Sequence, residues 1–219
     1  MMGATVRFVA KTLDLVPSEG SSKGGFCVKP HLTFADCPEQ LELLLVPGGL
    51  TGTFAAIEDK ATITFLKSRA AKTKLVGSVC TGSLVLGAAG LLQGRKATSH
   101  WQMLEVLRSV GATPVAERIV FDGTDRVTAA GVSAGLDLGL ELVRRYRGDF
   151  YAKGMQLLGE YDPHPAFPTG GSFSTSGNSA SRASRPLPLN SHIFPHTPLP
   201  DRSSGNPARW CNRSASVTP

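Results

Sequence analysis

Leu75-Val76-Gly77-Ser78-Val79-Cys80-Thr81-Gly82-Ser83 is the stretch whose reading decides the fold. Its mostly apolar beginning, Leu75–Val79, runs straight into Cys-Thr-Gly-Ser, and residues 84–92 then carry small and aliphatic side chains that suit a helix. The segment reads as strand, tight turn, helix. Gly82 lets the backbone reverse sharply, as the serine elbow of the α/β-hydrolases requires of its glycines. A cysteine delivered to such a turn meets the N–H groups and positive dipole end of the following helix, and both favour the thiolate. Cys80 is therefore the leading candidate nucleophile. Free cysteine is also among the most buried residue types, so an inert core thiol is the competing reading, and other residues have to separate the two.

Working outward, Leu41–Val46 is a nearly continuous apolar run closed by Pro47-Gly48-Gly49, the pattern of a strand buried on both faces of a parallel sheet. Residues 57–72 carry a helical stripe between the two strands. Further upstream, residues 5–10 alternate as a strand, residues 13–16 extend or follow it, residues 16–25 are loop by composition, and residues 26–28 form a short strand. Downstream, residues 96–99 read as a brief strand ending at His100-Trp101, and residues 103–110 as a helix face stopped by Gly111. Residues 115–121 and 126–130 pair through Asp122-Gly123-Thr124-Asp125, and Ser133-Ala134-Gly135 opens a helix over residues 136–145. Strands alternating with helices at this spacing predict an α/β fold of three layers with a mostly parallel sheet, spanning residues 1–167. From Pro168 to Pro219 glycine, serine, proline, asparagine and arginine dominate, and the composition predicts a disordered tail.

Charge narrows the function. Of 23 basic and 17 acidic residues, 5 basic and 1 acidic lie beyond Phe167, which leaves the body near neutrality. No basic stripe is present, so a nucleic-acid partner is not expected. The four cysteines, Cys27, Cys37, Cys80 and Cys211, form no CxxC pair and no zinc-type cluster, so no metal is expected. No window is apolar for long enough to span a bilayer and no signal-like core is present, so the expected setting is the reducing cytoplasm, away from membranes.

Gly48 and Gly49 follow a strand that should end at the same sheet edge as Cys80, where open α/β sheets place their ligands. Their N–H groups, with that of Thr81, would suit an oxyanion hole, while a simple tight turn explains the same residues. His100 also ends a strand and could orient the thiol or act as an acid; a packed residue of the core rim is the alternative. The Thr81 hydroxyl could serve the substrate or cap the helix. Asp137 suits dipole stabilisation in a first helical turn. Nothing brings Asp14 or Glu19 to Cys80.

Leu44-Leu45-Val46-Pro47-Gly48-Gly49, Ser78–Ser83 with Gly90-Leu91-Leu92-Gln93-Gly94, and Ala97-Thr98-Ser99-His100-Trp101 together resemble the ThiJ/PfpI superfamily, whose proteins are class I glutamine amidotransferase-like. The CTGS elbow and SHW ending resemble its isonitrile hydratase branch. The resemblance covers about Val6 to Phe167. It implies a flavodoxin-like three-layer sandwich, a homodimer, Cys80 as nucleophile with Thr81, Gly48 and Gly49 lining the pocket, a small-molecule substrate, and no organic cofactor or metal. In that branch an isocyanide and water give an N-substituted formamide, and an acid after the first strand, in a motif resembling F-P-x-x-x-x-L-D-x-x-G-P, protonates the adduct. That motif has no match here. The TVRFVAKTLDLV stretch resembles the family's second strand, so Asp14 does not stand in for the acid. The first strand and its helix are expected to be missing, which would expose a sheet edge. Two functions follow: an isonitrile hydratase-like hydro-lyase impaired by the unmatched acid, or a non-catalytic or redox-sensing protein that uses the same cysteine.

Overall fold

A computed structural model describes residues 3–18 and 26–166 of the chain. Four short strands come first: β1 (Val9–Ala10), β2 (Val16–Pro17), β3 (Cys27–Val28) and β4 (Leu32–Thr33). The long apolar runs then form β5 (Leu41–Val46) and β6 (Thr73–Val79), joined through α1 (Thr51–Glu58) and α2 (Lys60–Ala70). After the elbow come α3 (Gly82–Ala88), β7 (Lys96–Ala97), two 3₁₀ segments (Trp101–Met103 and Glu105–Val110) and β8 (Thr113–Pro114). The hairpin of β9 (Ile119–Asp122) and β10 (Arg126–Ala129) precedes α4 (Ala134–Arg147) and α5 (Asp149–Leu158).

The central sheet runs β5-β6-β10-β9. β6 is parallel to both β5 and β10, with Val46 opposite Ser78 and Ala129 opposite Val79, while β9 returns antiparallel to β10. The strand that delivers Cys80 is thus supported on both sides. Alternation of side chains across the pleat sends Val76 to one face and Leu75 to the other. Val76 packs with Leu84, Leu86 and Leu92 of the α3 region, and α2 adds Phe65 and Leu66 beside Val85 and Ala89. On the opposite face, Leu75, Val127 and Ala129 meet Ala134, Leu138 and Leu142 of α4. Helices on both faces of a mostly parallel sheet make the expected α/β sandwich. Each fully buried leucine in it is worth roughly 1.5–3 kcal/mol of burial.

Several expectations need correction. β5 is half-buried along its length, with Leu45 42% exposed, because β6 is its one hydrogen-bonded neighbour among the described residues. β1 lies apart, parallel to β4 in a two-stranded sheet, so the sheet edge beside β5 is open among the described residues. The strand expected over residues 5–10 is confined to Val9–Ala10, and Leu32–Thr33, which pairs with it, was not anticipated. The helix read over residues 57–72 is two helices divided at Asp59. The helix read over residues 103–110 is 3₁₀, and α5 was missed. The tail from Pro168, with Cys211, and the loop residue Glu19 lie outside the described residues.

Candidate functional site

The elbow forms because β6 ends in a residue that the neighbouring backbone forces into the left-handed region. Cys80 has φ 59°, one of two non-glycine residues with positive φ among the described residues. Such a conformation costs an L-residue roughly 1–2 kcal/mol and persists only where its surroundings hold it. Here the Cys80 N–H donates to the carbonyls of Ala129 (3.0 Å) and Ala130 (2.7 Å) at the end of β10. Its carbonyl accepts from the hydroxyls of Ser83 (3.1 Å) and Ser99 (3.2 Å). The thiol itself is half-buried. Gly82 is required: a Cβ there would meet the carbonyl oxygens of Val46 at 2.3 Å and Pro47 at 2.7 Å.

Gly48 lies against the same elbow. A Cβ on Gly48 would fall 2.7 Å from Cys80 Cβ and 2.9 Å from the Thr81 nitrogen, so the backbone after β5 packs directly on Cys80. The Thr81 hydroxyl does not cap α3. It donates to the Gly49 carbonyl (2.5 Å) and accepts from the Gly49 N–H (3.0 Å). Gly49 therefore spends its amide on Thr81. The N–H groups of Gly48 and Thr81 have no hydrogen-bond partner among the described residues. Thr53, on α1, completes the arrangement: its hydroxyl donates to the Gly49 carbonyl (2.6 Å) and lies 2.8 Å from the Thr81 hydroxyl. Both threonines are buried.

Sequence reasoning had not singled out Thr53, Ser83, Ser99 or the Ala129 and Ala130 carbonyls. The spacing of four between Gly49 and Thr53 was the one available signal, that of a helical turn whose hydroxyl reaches back to an earlier carbonyl. His100 follows Ser99 directly, but its ring is turned along the rim: Nδ1 accepts from the Gln102 N–H at 3.4 Å, and the ring stands 5.9 Å from that of Trp101. It makes no hydrogen bond to Cys80 among the described residues. Asp137 occupies the first turn of α4, as expected for a structural carboxylate. It pairs with Arg118 Nε and accepts from the Tyr161 hydroxyl (2.9 Å), a bond that raises the Tyr161 pKa above its ordinary value. Asp14 accepts from the Thr12 hydroxyl on the exposed surface and makes no hydrogen bond to Cys80 among the described residues. No carboxylate hydrogen-bonds to Cys80 among the described residues.

Among the described residues no group of three or more His, Cys, Asp and Glu could hold a metal, and no helix is long and apolar enough to cross a membrane. The elbow offers a half-buried cysteine on a strained backbone, beside two amides without a hydrogen-bond partner among the described residues. A nucleophile next to donors for developing negative charge is the arrangement used in addition to an electrophilic carbon.

The DJ-1/PfpI family pattern matches residues 2–145. Isonitrile hydratase from Pseudomonas putida is 47% identical over 157 residues, covering 72% of this chain and 67% of the relative. A deglycase from Pyrococcus horikoshii is 33% identical over 104 residues, covering 47% of this chain and 62% of that protein. The crystal structure of a ThiJ/PfpI family protein from Pseudomonas syringae superposes with a TM-score of 0.73 at 48% identity, covering 77% of this chain and 67% of that one. The chain spans about two thirds of the length of these relatives.

Proposed function

The chain belongs to the DJ-1/PfpI family, and from that premise and the elbow's geometry we propose that it is a cysteine-dependent hydro-lyase related to isonitrile hydratase. The observation that carries the reading is Cys80 at φ 59°, held at the end of β6 against the Gly48 backbone. The Cys80 thiolate adds its electron pair to the terminal carbon of an isocyanide, R–N≡C, forming a carbon–sulfur bond. A proton at that carbon gives the thioimidate R–N=CH–S–Cys80. Water then adds its oxygen to the carbon and a proton to the nitrogen. The carbon–sulfur bond breaks, leaving the formamide R–NH–CHO and the thiol. Charge that develops on the incoming oxygen meets the amides of Gly48 and Thr81, while the hydroxyl of Thr81 and the amide of Gly49 hold that loop in place. His100, next in the chain to the Ser99 whose hydroxyl bonds the Cys80 carbonyl, is assigned a substrate contact in this reading. In this cycle the proton at the carbon is taken from water. It works on small molecules, without a cofactor, as a cytoplasmic homodimer.

The test is hydration of an alkyl isocyanide by the purified chain, followed as formamide production. Cys80→Ala is expected to abolish turnover. Undiminished turnover in that variant rules the mechanism out. Formation of sulfenic or sulfinic Cys80 with mild peroxide, with no hydration by the wild-type protein, would instead favour a redox sensor built on the same thiol.

A further inference from the structure

Gly49 is clamped at both of its polar atoms by threonine hydroxyls. Its N–H donates to Thr81 Oγ1, and its carbonyl accepts from Thr81 Oγ1 at 2.5 Å and from Thr53 Oγ1 at 2.6 Å, with the two hydroxyls 2.8 Å apart. Two hydroxyl protons thus serve three oxygen–oxygen contacts, so each hydroxyl's orientation depends on the other. Thr53 is 4% exposed and makes no hydrogen bond to Cys80 among the described residues. Its effect on the nucleophile runs through Gly49, whose neighbour Gly48 rests on Cys80 and on the Thr81 nitrogen.

We propose that Thr53 is a positioning residue: by holding the Gly49 carbonyl and orienting the Thr81 hydroxyl, it keeps the Gly48 and Thr81 amides aimed at the oxygen that becomes negatively charged in the tetrahedral adducts of Cys80. Removal of its hydroxyl leaves one hydroxyl to satisfy the Gly49 carbonyl, and the loop after β5 drifts from the elbow. Shifts of well under an ångström in such donors are enough to slow a reaction. This inference rests on Cys80 being the nucleophile of the proposed function, though not on an isocyanide being its substrate.

Two reagents separate the effect on the amides from any effect on the thiol. In acylation by p-nitrophenyl acetate the thiolate forms a sulfur–carbon bond through an oxyanion, the carbon–oxygen bond breaks and p-nitrophenolate leaves. Alkylation by iodoacetamide forms a sulfur–carbon bond, expels iodide and passes through no oxyanion. In the full chain, Thr53→Val is expected to slow acylation of Cys80 about 10-fold while alkylation stays within about twofold. Thr53→Ser, which keeps the hydroxyl, should restore acylation to within about threefold of wild type. Unchanged acylation in Thr53→Val overturns the proposal. So does a parallel fall in both reactions, a Thr53→Ser protein as slow as Thr53→Val, or a wild-type protein that is not acylated. Failure of the wild-type protein to hydrate an isocyanide would remove the proposed activity without moving either of these rates.

Discussion

Cys80 holds a backbone conformation that glycine would adopt without strain. The left-handed region costs an L-residue roughly 1–2 kcal/mol, part of which glycine returns through its greater freedom in the unfolded chain. Against Cys80→Ala, which keeps the strain and removes the sulfur, Cys80→Gly is expected to be as stable or more stable, by up to about 1 kcal/mol. Urea unfolding of the two variants measures the difference, and a less stable glycine variant would mean that the elbow is unstrained. The position of this residue was legible in the sequence because the cysteine follows the strand directly and Gly82 comes two residues later. Thr53 was not, because its partner Thr81 is 28 positions away and only the packing of α1 against the elbow brings the hydroxyls together. The destination of the Thr81 hydroxyl was hidden for the same reason: local sequence favours capping, and the Gly49 carbonyl from the loop after β5 competes for the proton.

At the scale of elements, the division of one apparent helix into α1 and α2 has a local cause. The apolar stripe continues across residues 57–66, which made a single helix the simplest reading. Asp59 breaks it by taking an extended conformation, φ −81° and ψ 103°, and accepting from the Thr62 N–H (3.1 Å) and hydroxyl (2.5 Å) as an N-cap. Lys11, from just beyond β1, adds an ion pair at 3.1 Å. The Thr62 bonds first, then Lys11, hold the Asp59 carboxyl down at about 2. A carboxylate whose pKa is lower in the folded chain than its unfolded value of about 3.9 contributes stability above that value, and the contribution is lost as pH falls toward about 2. Asp59→Ala should therefore unfold more easily than wild type at pH 7. The gap should close on acidification through pH 4 to 2, as followed by denaturant midpoints at each pH. A gap independent of pH would assign the effect to helix propensity instead of the charged cap. α5 was not read because the sequence offered an end to the preceding helix at its run of arginines, whereas in the structure a second helix starts after the single residue Gly148, at φ 82°.

Across the whole molecule, the two apolar runs made the sheet readable, but how completely each strand is covered depends on neighbours that the local pattern does not name. Leu138 and Leu45 both serve the sheet face that carries α4. Leu138 is 1% exposed within the cluster of Leu75, Val127 and Leu142. Leu45 is 42% exposed, and its Cδ1 lies beside Val127 over the Gly77 backbone, on the strand with the open edge. Read from sequence alone, LELLLV offers Leu45 as core. The structure makes it a side chain that still has water on one side, because β5 pairs through one edge and α4 covers the β6–β10 side of the face. Truncating a buried leucine forfeits its transfer energy and leaves a cavity, whereas truncating a half-exposed one loses part of the first and little of the second. Leu138→Ala is therefore expected to cost roughly 2–5 kcal/mol, and Leu45→Ala about 1 kcal/mol or less. Equilibrium urea unfolding of both variants at one pH and protein concentration measures the contrast. Equal losses would mean that the β5 face is covered in solution, by a second copy or by another part of the chain; unequal losses would establish that the sheet's packing strength lies along β6 and β10, the strands that hold Cys80 in its turn.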